Sequence, residues 1–174
     1  PLIAWWCSRP LKRHQEKLTP TQTAFLFRIA RKTWFFFETF VSAESNWLPP
    51  DNYQEVPSGR VAYRTSPTNI GIALLANLSA CDFGFISTGT FLERTEKSLA
   101  VMEKLERYKG HFFNWYDTVT LNPLPPRYVS SVDSGNLAGH LLVLRAGIAE
   151  FAGKSVISPL VFKGNQIYLD VLIE

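Results

Sequence analysis

Ser66-Pro67-Thr68-Asn69-Ile70-Gly71-Ile72-Ala73-Leu74-Leu75-Ala76-Asn77-Leu78 reads as the beginning and apolar face of a helix. Ser66 is an N-cap residue type, and Pro67 suits the first helical position, where its missing N–H costs nothing. Ile70, Leu74, Leu75 and Leu78 then recur at helical spacing. The pattern predicts a helix over about 67–82, closed by Gly84. Upstream, Thr19, Pro20 and Gln22 carry a capping-box signature. Phe25, Ile29, Phe36 and Phe40 follow at helical spacing, with Leu26, Ala30 and Phe37 widening the stripe. They predict a helix over about 20–41, buried on much of its surface. Downstream, Leu92, Leu99, Met102, Leu105 and Tyr108 predict a third helix over about 89–109 with Gly110 as its C′ residue. Glu93–Lys97 and Glu103–Arg107 are surface pairs in the favourable order. Ser134 as cap and Leu137, Leu141, Leu144 and Ile148 as stripe predict a fourth helix over about 135–152.

The connections are very unequal. Helices two and three are joined by a short turn. Long segments precede helix two (42–65, with Pro49, Pro50, Pro57 and Gly59) and helix four (with Pro123, Pro125 and Pro126). Long ordered loops are usually functional. The pattern fits an all-α chain of helical hairpins, in which alternate helices of a barrel face inward and the long loops gather at one end as a cleft. A plain bundle is the alternative. Residues 153–174 change character. Val156-Ile157, Leu160-Val161-Phe162 and the run Ile167 to Ile173 read as strands around Gly164-Asn165, a short β-hairpin at the C-terminal tail or strands that pair outside the chain. At the other end, Pro1-Leu2-Ile3-Ala4-Trp5-Trp6 followed by Arg9, Lys12 and Arg13 resembles the exit of a membrane span. A solvated basic arm fits equally well. The expected organisation is a span end and basic linker over 1–18, a helical domain over 19–152 and an atypical tail over 153–174.

Composition narrows the function classes. The chain has 174 residues, enough for one domain with a core. A net charge of +3 is too small to argue for nucleic acid. Cys7 and Cys81 match no metal-ligand spacing, and His14, His111 and His140 are scattered. No Gly-rich phosphate loop and no supported Ser-His-Asp order is present.

What stands out is the aromatic content, 14%, much of it in polar loops. Asn46-Trp47-Leu48-Pro49-Pro50-Asp51-Asn52-Tyr53-Gln54-Glu55, Asn114-Trp115-Tyr116-Asp117 and Tyr128-Val129-Ser130-Ser131-Val132-Asp133-Ser134-Gly135-Asn136 combine flat rings with carboxylates and amides. Sugars are bound by such loops: rings cover C–H faces, and acids and amides pair with hydroxyls. Asp51 and Glu55 fit hydroxyl binding, acid–base work or plain structure, with Glu55 pairing Arg60 or Arg64 in the last case. Trp115 fits a sugar platform or a core position, and Asp117 fits a hydroxyl partner or a turn cap. Asp133, Ser134 and the N–H groups near Gly135 fit a polar grip at a helix start. Arg64 stands ready as a carboxylate partner.

Taken with Arg64-Thr-Ser-Pro-Thr-Asn-Ile-Gly71, Met102-Glu-Lys-Leu-Glu-Arg107, Gly110-His-Phe-Phe-Asn-Trp-Tyr-Asp-Thr118 and Pro126 to His140, the Asn46–Glu55 string resembles the cyclic β-1,2-glucan synthases, in their glucoamylase-like central region. The resemblance covers about residues 1–152. It implies an (α/α)6 barrel, of which this chain would supply about four of twelve helices. It implies a domain that binds β-1,2-glucan and closes it into rings by transglycosylation, inside a bacterial inner-membrane protein. It places this segment on the cytoplasmic side, after a membrane span. Another domain would use UDP-glucose, and this segment would need no cofactor or metal. Its partners would be β-1,2-glucan and the other domains of the polypeptide. The candidate substrate-binding residues are Asp51, Gln54, Glu55, Arg64, Trp115, Tyr116, Asp117, Tyr128, Asp133 and Asn136. Glu55 and Asp117 are the weak catalytic candidates; at least one catalytic carboxylate is expected beyond residue 174, leaving this segment alone inactive. The competing readings are a non-catalytic glucan-binding or structural helical module and an endo-β-1,2-glucanase of the same fold.

Overall fold

The structure, a computed structural model, describes residues 17–151 continuously, together with Ile3, Trp5, Phe162, Gly164, Gln166, Ile167 and Leu169. Its helices in the continuous part are α1 (Pro20–Phe40), α2 (Pro67–Asp82), α3 (Thr88–Lys104) and α4 (Ser131–Phe151). Six two-residue strands lie in the connections: β1 (Tyr53–Gln54), β2 (Arg60–Val61), β3 (Arg64–Thr65), β4 (Arg107–Tyr108), β5 (His111–Phe112) and β6 (Tyr116–Asp117). They pair antiparallel as β1–β2, β3–β6 and β4–β5.

The helix starts follow the sequence. Thr19 Oγ1 accepts from Gln22 N (3.2 Å), and Gln22 Oε1 accepts from Thr19 N (2.9 Å), completing the capping box of α1. Ser66 caps α2 through Asn69 N. Gly84, at φ +74, ends α2 as the C′ residue of a Schellman motif: Phe85 N bonds Ala80 O and Gly84 N bonds Cys81 O.

α2 is the central helix, packed on α4, α3 and α1. α2 and α4 run parallel. Thr68 meets Asp133, Gly71 meets the His140 ring, and Leu78 meets Gly147. The two glycines permit this approach; a Cβ at Gly147 would stand 2.6 Å from Leu78 Cδ2. α3, joined to α2 by a short turn, returns antiparallel. Ile70, Leu74, Leu78, Phe91, Met102, Leu137 and Leu144 form the core between these helices, with Leu48, Phe113 and Tyr116 closing it from the loops. A fully buried Leu or Phe contributes roughly 2 kcal/mol.

Several expectations need correction. α1 buries only Arg31 and Trp34, while Phe25, Leu26, Ile29 and Phe35 are exposed. α3 ends at Lys104, because Leu105 turns extended (ψ 133) and residues 107–112 form a hairpin. Gly110 therefore serves the hairpin turn, where Lys109 and Gly110 both take positive φ. The buried line of α3 is Phe91, Thr95, Ser98 and Met102; Leu92 and Tyr108 are exposed. The small Ser98 lets the Asn46–Leu48 segment close in, its hydroxyl donating to Trp47 O at 2.8 Å. α4 starts at Ser131. Ser130 Oγ accepts from Asp133 N, so the cap falls on Ser130 and Ser134 lies inside the helix. In the tail, Phe162, Ile167 and Leu169 are helical, which overturns the strand reading at those positions. The rest of that reading, and most of the proposed span end over 1–18, lie outside the described residues. No helix among the described residues is long and apolar enough to cross a membrane. The chain is thus mostly helical, with short strand pairs between its helices.

Candidate functional site

The pairing of β3 with β6 decides where the site lies. It sets Arg64 opposite Asp117 and Thr65 opposite Tyr116, and so ties the loop before α2 to the loop before α4. Thr118 N adds a bond to Tyr63 O (3.1 Å), and Asn46 Nδ2 donates to the carbonyls of Thr118 and Val119. Both long loops therefore meet at one rim, beside the N-termini of the parallel α2 and α4. Two helix N-termini side by side present positive dipole ends, and two carboxylates face them.

Asp51 is the first. Its Oδ2 accepts from Arg64 Nη2 (2.9 Å), Arg64 Nε (3.2 Å) and Asn52 Nδ2 (3.0 Å); its Oδ1 accepts from Asn69 Nδ2 (3.2 Å). Asp133 is the second. Thr68 Oγ1 donates to its Oδ1 at 2.6 Å; with the Asn114 amide oriented as its donors and acceptor require, nitrogen towards Asp133, it donates to Oδ2 at 3.0 Å. Asn136 Nδ2 donates in turn to Thr68 Oγ1 (3.2 Å). Arg64 spans the gap, its Cζ 4.8 Å from the centre of the Trp115 ring. Trp115 Nε1 and the Tyr128 hydroxyl both donate to the Asn114 amide oxygen, at 2.6 and 2.8 Å. One hydrogen-bonded and stacked network thus runs from Asp51 through Arg64, Trp115 and Asn114 to Asp133, Thr68 and Asn136.

Of the residues singled out from the sequence, Asp51, Arg64, Trp115, Tyr128, Asp133 and Asn136 come together here. Four do not. Tyr116 is fully buried, its hydroxyl donating to Glu106 O and accepting from Phe113 N, both at 2.7 Å; it is a core residue and cannot serve as a sugar platform. Burial pushes its phenol pKa up. Asp117 caps its own turn by accepting from Thr120 N (2.7 Å) and Val119 N (2.9 Å). Those bonds, Thr120 first, hold its carboxyl below the usual range, which unsuits it to donate a proton at neutral pH. Gln54 and Glu55 stand exposed on the β1–β2 hairpin, and neither side chain has a hydrogen bond or ion pair among the described residues. Arg64 chooses Asp51 over Glu55 because β3 aligns it with the Asp51–Asn52 segment, whose backbone bonds Ala62 on both sides.

Asn52, Thr68, Asn69 and Asn114 belong to the network but were not among the candidates. Thr68 and Asn69 lie in the first turn of α2, a place where small polar side chains commonly serve the helix end alone. Their partners lie 65 and 18 residues away in sequence, a pairing that local spacing does not reveal.

No family model matches the chain. In its fold the chain resembles the glucoamylase-like helical proteins. It superposes on the crystal structure of a protein assigned to the glucoamylases from Bacteroides fragilis NCTC 9343 (TM-score 0.62, 21% identity, 94% of this chain and 38% of that one). It superposes comparably on the endo-β-1,2-glucanase of Chitinophaga pinensis in complex with sophorotriose and glucose (TM-score 0.60, 19% identity, 89% and 37%). In sequence the chain is 47% identical over 154 residues to cyclic β-(1,2)-glucan synthase NdvB of Rhizobium meliloti strain 1021. The match covers 87% of this chain and 5% of that protein. The likeness to the cyclic β-1,2-glucan synthases read from the loop motifs is thereby shown, for one short stretch of such a synthase.

Proposed function

We propose that this chain is the first part of the glucan-binding, ring-closing domain of a cyclic β-1,2-glucan synthase. The observation that carries the reading is the rim network: an indole, a phenol, a guanidinium and an amide converge at two helix N-termini, in a chain close in sequence to NdvB. Trp115 supplies the apolar face for a glucose ring. Arg64, Tyr128 and Asn136 supply hydroxyl partners. Asp51 and Asp133, each with both oxygens already accepting, hold these groups in place. The catalytic carboxylate pair of a retaining transglycosylase then lies on further helices of the same domain.

The parallel, directly packed α2 and α4, with the antiparallel α3 between them in sequence, suit the alternation of inner and outer helices in an (α/α)6 barrel. Leu142 and Val143 of α4 are more than half exposed, as expected of a face that further barrel helices cover. In this reading the parent polypeptide is a membrane protein of the bacterial inner membrane. Its glycosyltransferase domain uses UDP-glucose, and this segment works on the cytoplasmic side.

The test is product analysis. Joined to the remaining helices of its domain, the segment should convert linear β-1,2-glucan into rings. Linear products alone would favour an endo-glucanase. Binding without turnover would favour a non-catalytic module, and absence of binding to β-1,2-glucooligosaccharides would overturn the reading.

A further inference from the structure

Asn114 lies beneath the rim, 5% exposed, between β5 and β6. Its backbone N–H donates to Tyr128 O at 2.8 Å. The surrounding groups, two donors and one carboxylate, assign its amide orientation: the oxygen accepts from Trp115 Nε1 and from the Tyr128 hydroxyl, and the nitrogen donates to Asp133 Oδ2. One buried side chain thus satisfies two donors and one acceptor from three places: its own turn, the loop before α4 and α4 itself. The chemistry restricts the choice of residue. A carboxylate here has no donor for Asp133, and a leucine leaves the indole N–H, the phenol and Asp133 short of a partner. Unlike Trp115 and Tyr128, Asn114 has almost no surface to offer a ligand.

We infer that Asn114 is the positioning residue of the rim: it fixes the Trp115 ring and the Tyr128 hydroxyl against Asp133, and so presets the platform on which a glucose unit lies. The ligand in this statement rests on the function proposed above; the positioning has a readout of its own.

Asn114→Asp provides it. The new carboxyl would face Asp133 with oxygens about where the 3.0 Å contact now lies. Two carboxylates that close share a proton, which raises the apparent pKa of the pair. Among the described residues, the titratable or charged groups linked to this cluster are the Tyr128 phenol and, across the Trp115 ring, the Arg64 guanidinium, itself paired with Asp51. The singly protonated pair reproduces the donor that asparagine supplies. The doubly ionised pair does not, and it pushes the two segments apart. Correct geometry is therefore present at low pH and lost as pH rises through the raised pKa.

The experiment follows the Trp115 indole N–H resonance by NMR in the 174-residue chain, assigned by its absence in Trp115→Phe. Calorimetry with a β-1,2-glucooligosaccharide runs in parallel. Relative to wild type, the Asn114→Asp resonance should titrate between about pH 5 and about pH 8. Its affinity should match wild type at the acid end and fall at least about tenfold at the alkaline end. Asn114→Leu should bind weakly at every pH. An Asn114→Asp resonance that follows wild type throughout would overturn the inference, as would wild-type affinity at all pH values. If Asn114→Leu does not fold, the Asn114→Asp titration still decides. A wild-type chain that binds no glucan, alongside a titrating Asn114→Asp indole, would sink the proposed ligand and uphold the positioning.

Discussion

Arg94 and Arg64 both sit against tryptophan rings, and they do different work. Arg94 reaches from α3 between Trp34 and Trp47, its Cζ 5.2 and 5.8 Å from their ring centres. Its Nη2 donates to Phe37 O of α1 (2.9 Å) and its Nε to Asn77 Oδ1 of α2 (3.2 Å). It fastens three helices. Arg64 lies on Trp115 at 4.8 Å, but its side chain is 52% exposed and its hydrogen-bonded partner is a loop carboxylate. The same guanidinium–indole contact is thus a fastener where all its bonds end on helices. It becomes a surface where one face is left to solvent. Cation–π stacking contributes ~1 kcal/mol in either setting; the destination of the hydrogen bonds separates them.

Arg94→Met gives the largest expected effect on this contrast. It strands Asn77 Oδ1, on a side chain whose Nδ2 is already unpartnered, and it removes one of two donors to Phe37 O, which keeps the Val41 N–H. Stability should fall by about 2 kcal/mol in urea unfolding, while saccharide affinity per folded molecule stays the same. Stability equal to wild type would break the contrast. Burial also pushes the Arg94 guanidinium below its usual pKa; arginine stays charged in proteins, so the effect should not depend on pH around 7.

Trp115→Ala is the counterpart. Removal of the platform should weaken glucooligosaccharide binding by about tenfold, or ~1.4 kcal/mol, and cost less stability than Arg94→Met. Calorimetry and thermal unfolding of the same samples separate the two. A Trp115→Ala chain that binds normally would make Arg64–Trp115 a second fastener.

The difference between the two arginines was not legible in the sequence, and the reason is physical. Capping and periodicity act over a few residues, so Thr19, Ser66 and Pro67 announced their helices and the α2 boundaries came out as read. The start of α4 lies four residues before the one the sequence suggests, because three serines within five residues, Ser130, Ser131 and Ser134, all suit a cap. The site was half legible. Trp115, Asp133 and Asn136 looked like ligand groups because they sit in polar-aromatic loops. Tyr116 looked the same, yet the β3–β6 register turns it inward. Adjacent residues of a strand face opposite ways, and only the partner strand decides which way is in. Arg94 sits within a charged stretch of α3 that resembles a solvated face, and its role depends on α1 and α2 arriving on either side.

Asp117 offers a smaller test, on the strand that joins the loops. Its carboxyl is held below the ordinary 3.8 by the N–H groups of Thr120 and Val119, with burial opposing. A depressed carboxyl stabilises the fold fully above its unfolded pKa, and the contribution is lost as pH falls through the folded value. Asp117→Asn should therefore flatten part of the acid limb of the stability–pH profile below about pH 4. Near neutrality its saccharide affinity should stay close to wild type. A profile with an unchanged acid limb would mean that the turn does not rely on the charge. A large loss of affinity would move Asp117 from the turn to the ligand.

Glu55→Gln should do least. The β1–β2 hairpin that carries Glu55 is anchored through Tyr53, whose ring lies 5.0 Å from that of Phe40 on α1, and by the pairing of Tyr53 with Val61 and Gln54 with Arg60. None of these contacts uses the Glu55 carboxylate. Beyond its base at Asp51 and Asn52, the hairpin rests on α1, on the side of the fastened helices, whereas the rim network is built on that base, α2, α4 and β3–β6. Neutralising an exposed, unpaired charge should leave the unfolding midpoint in place and change affinity by less than about twofold. A tenfold loss would carry a definite meaning: in the bound state the hairpin would swing from α1 towards Trp115 and add Glu55 to the sugar's partners. The contrast between a fixed helical side and a ligand-facing rim would then have to include one element that belongs to both.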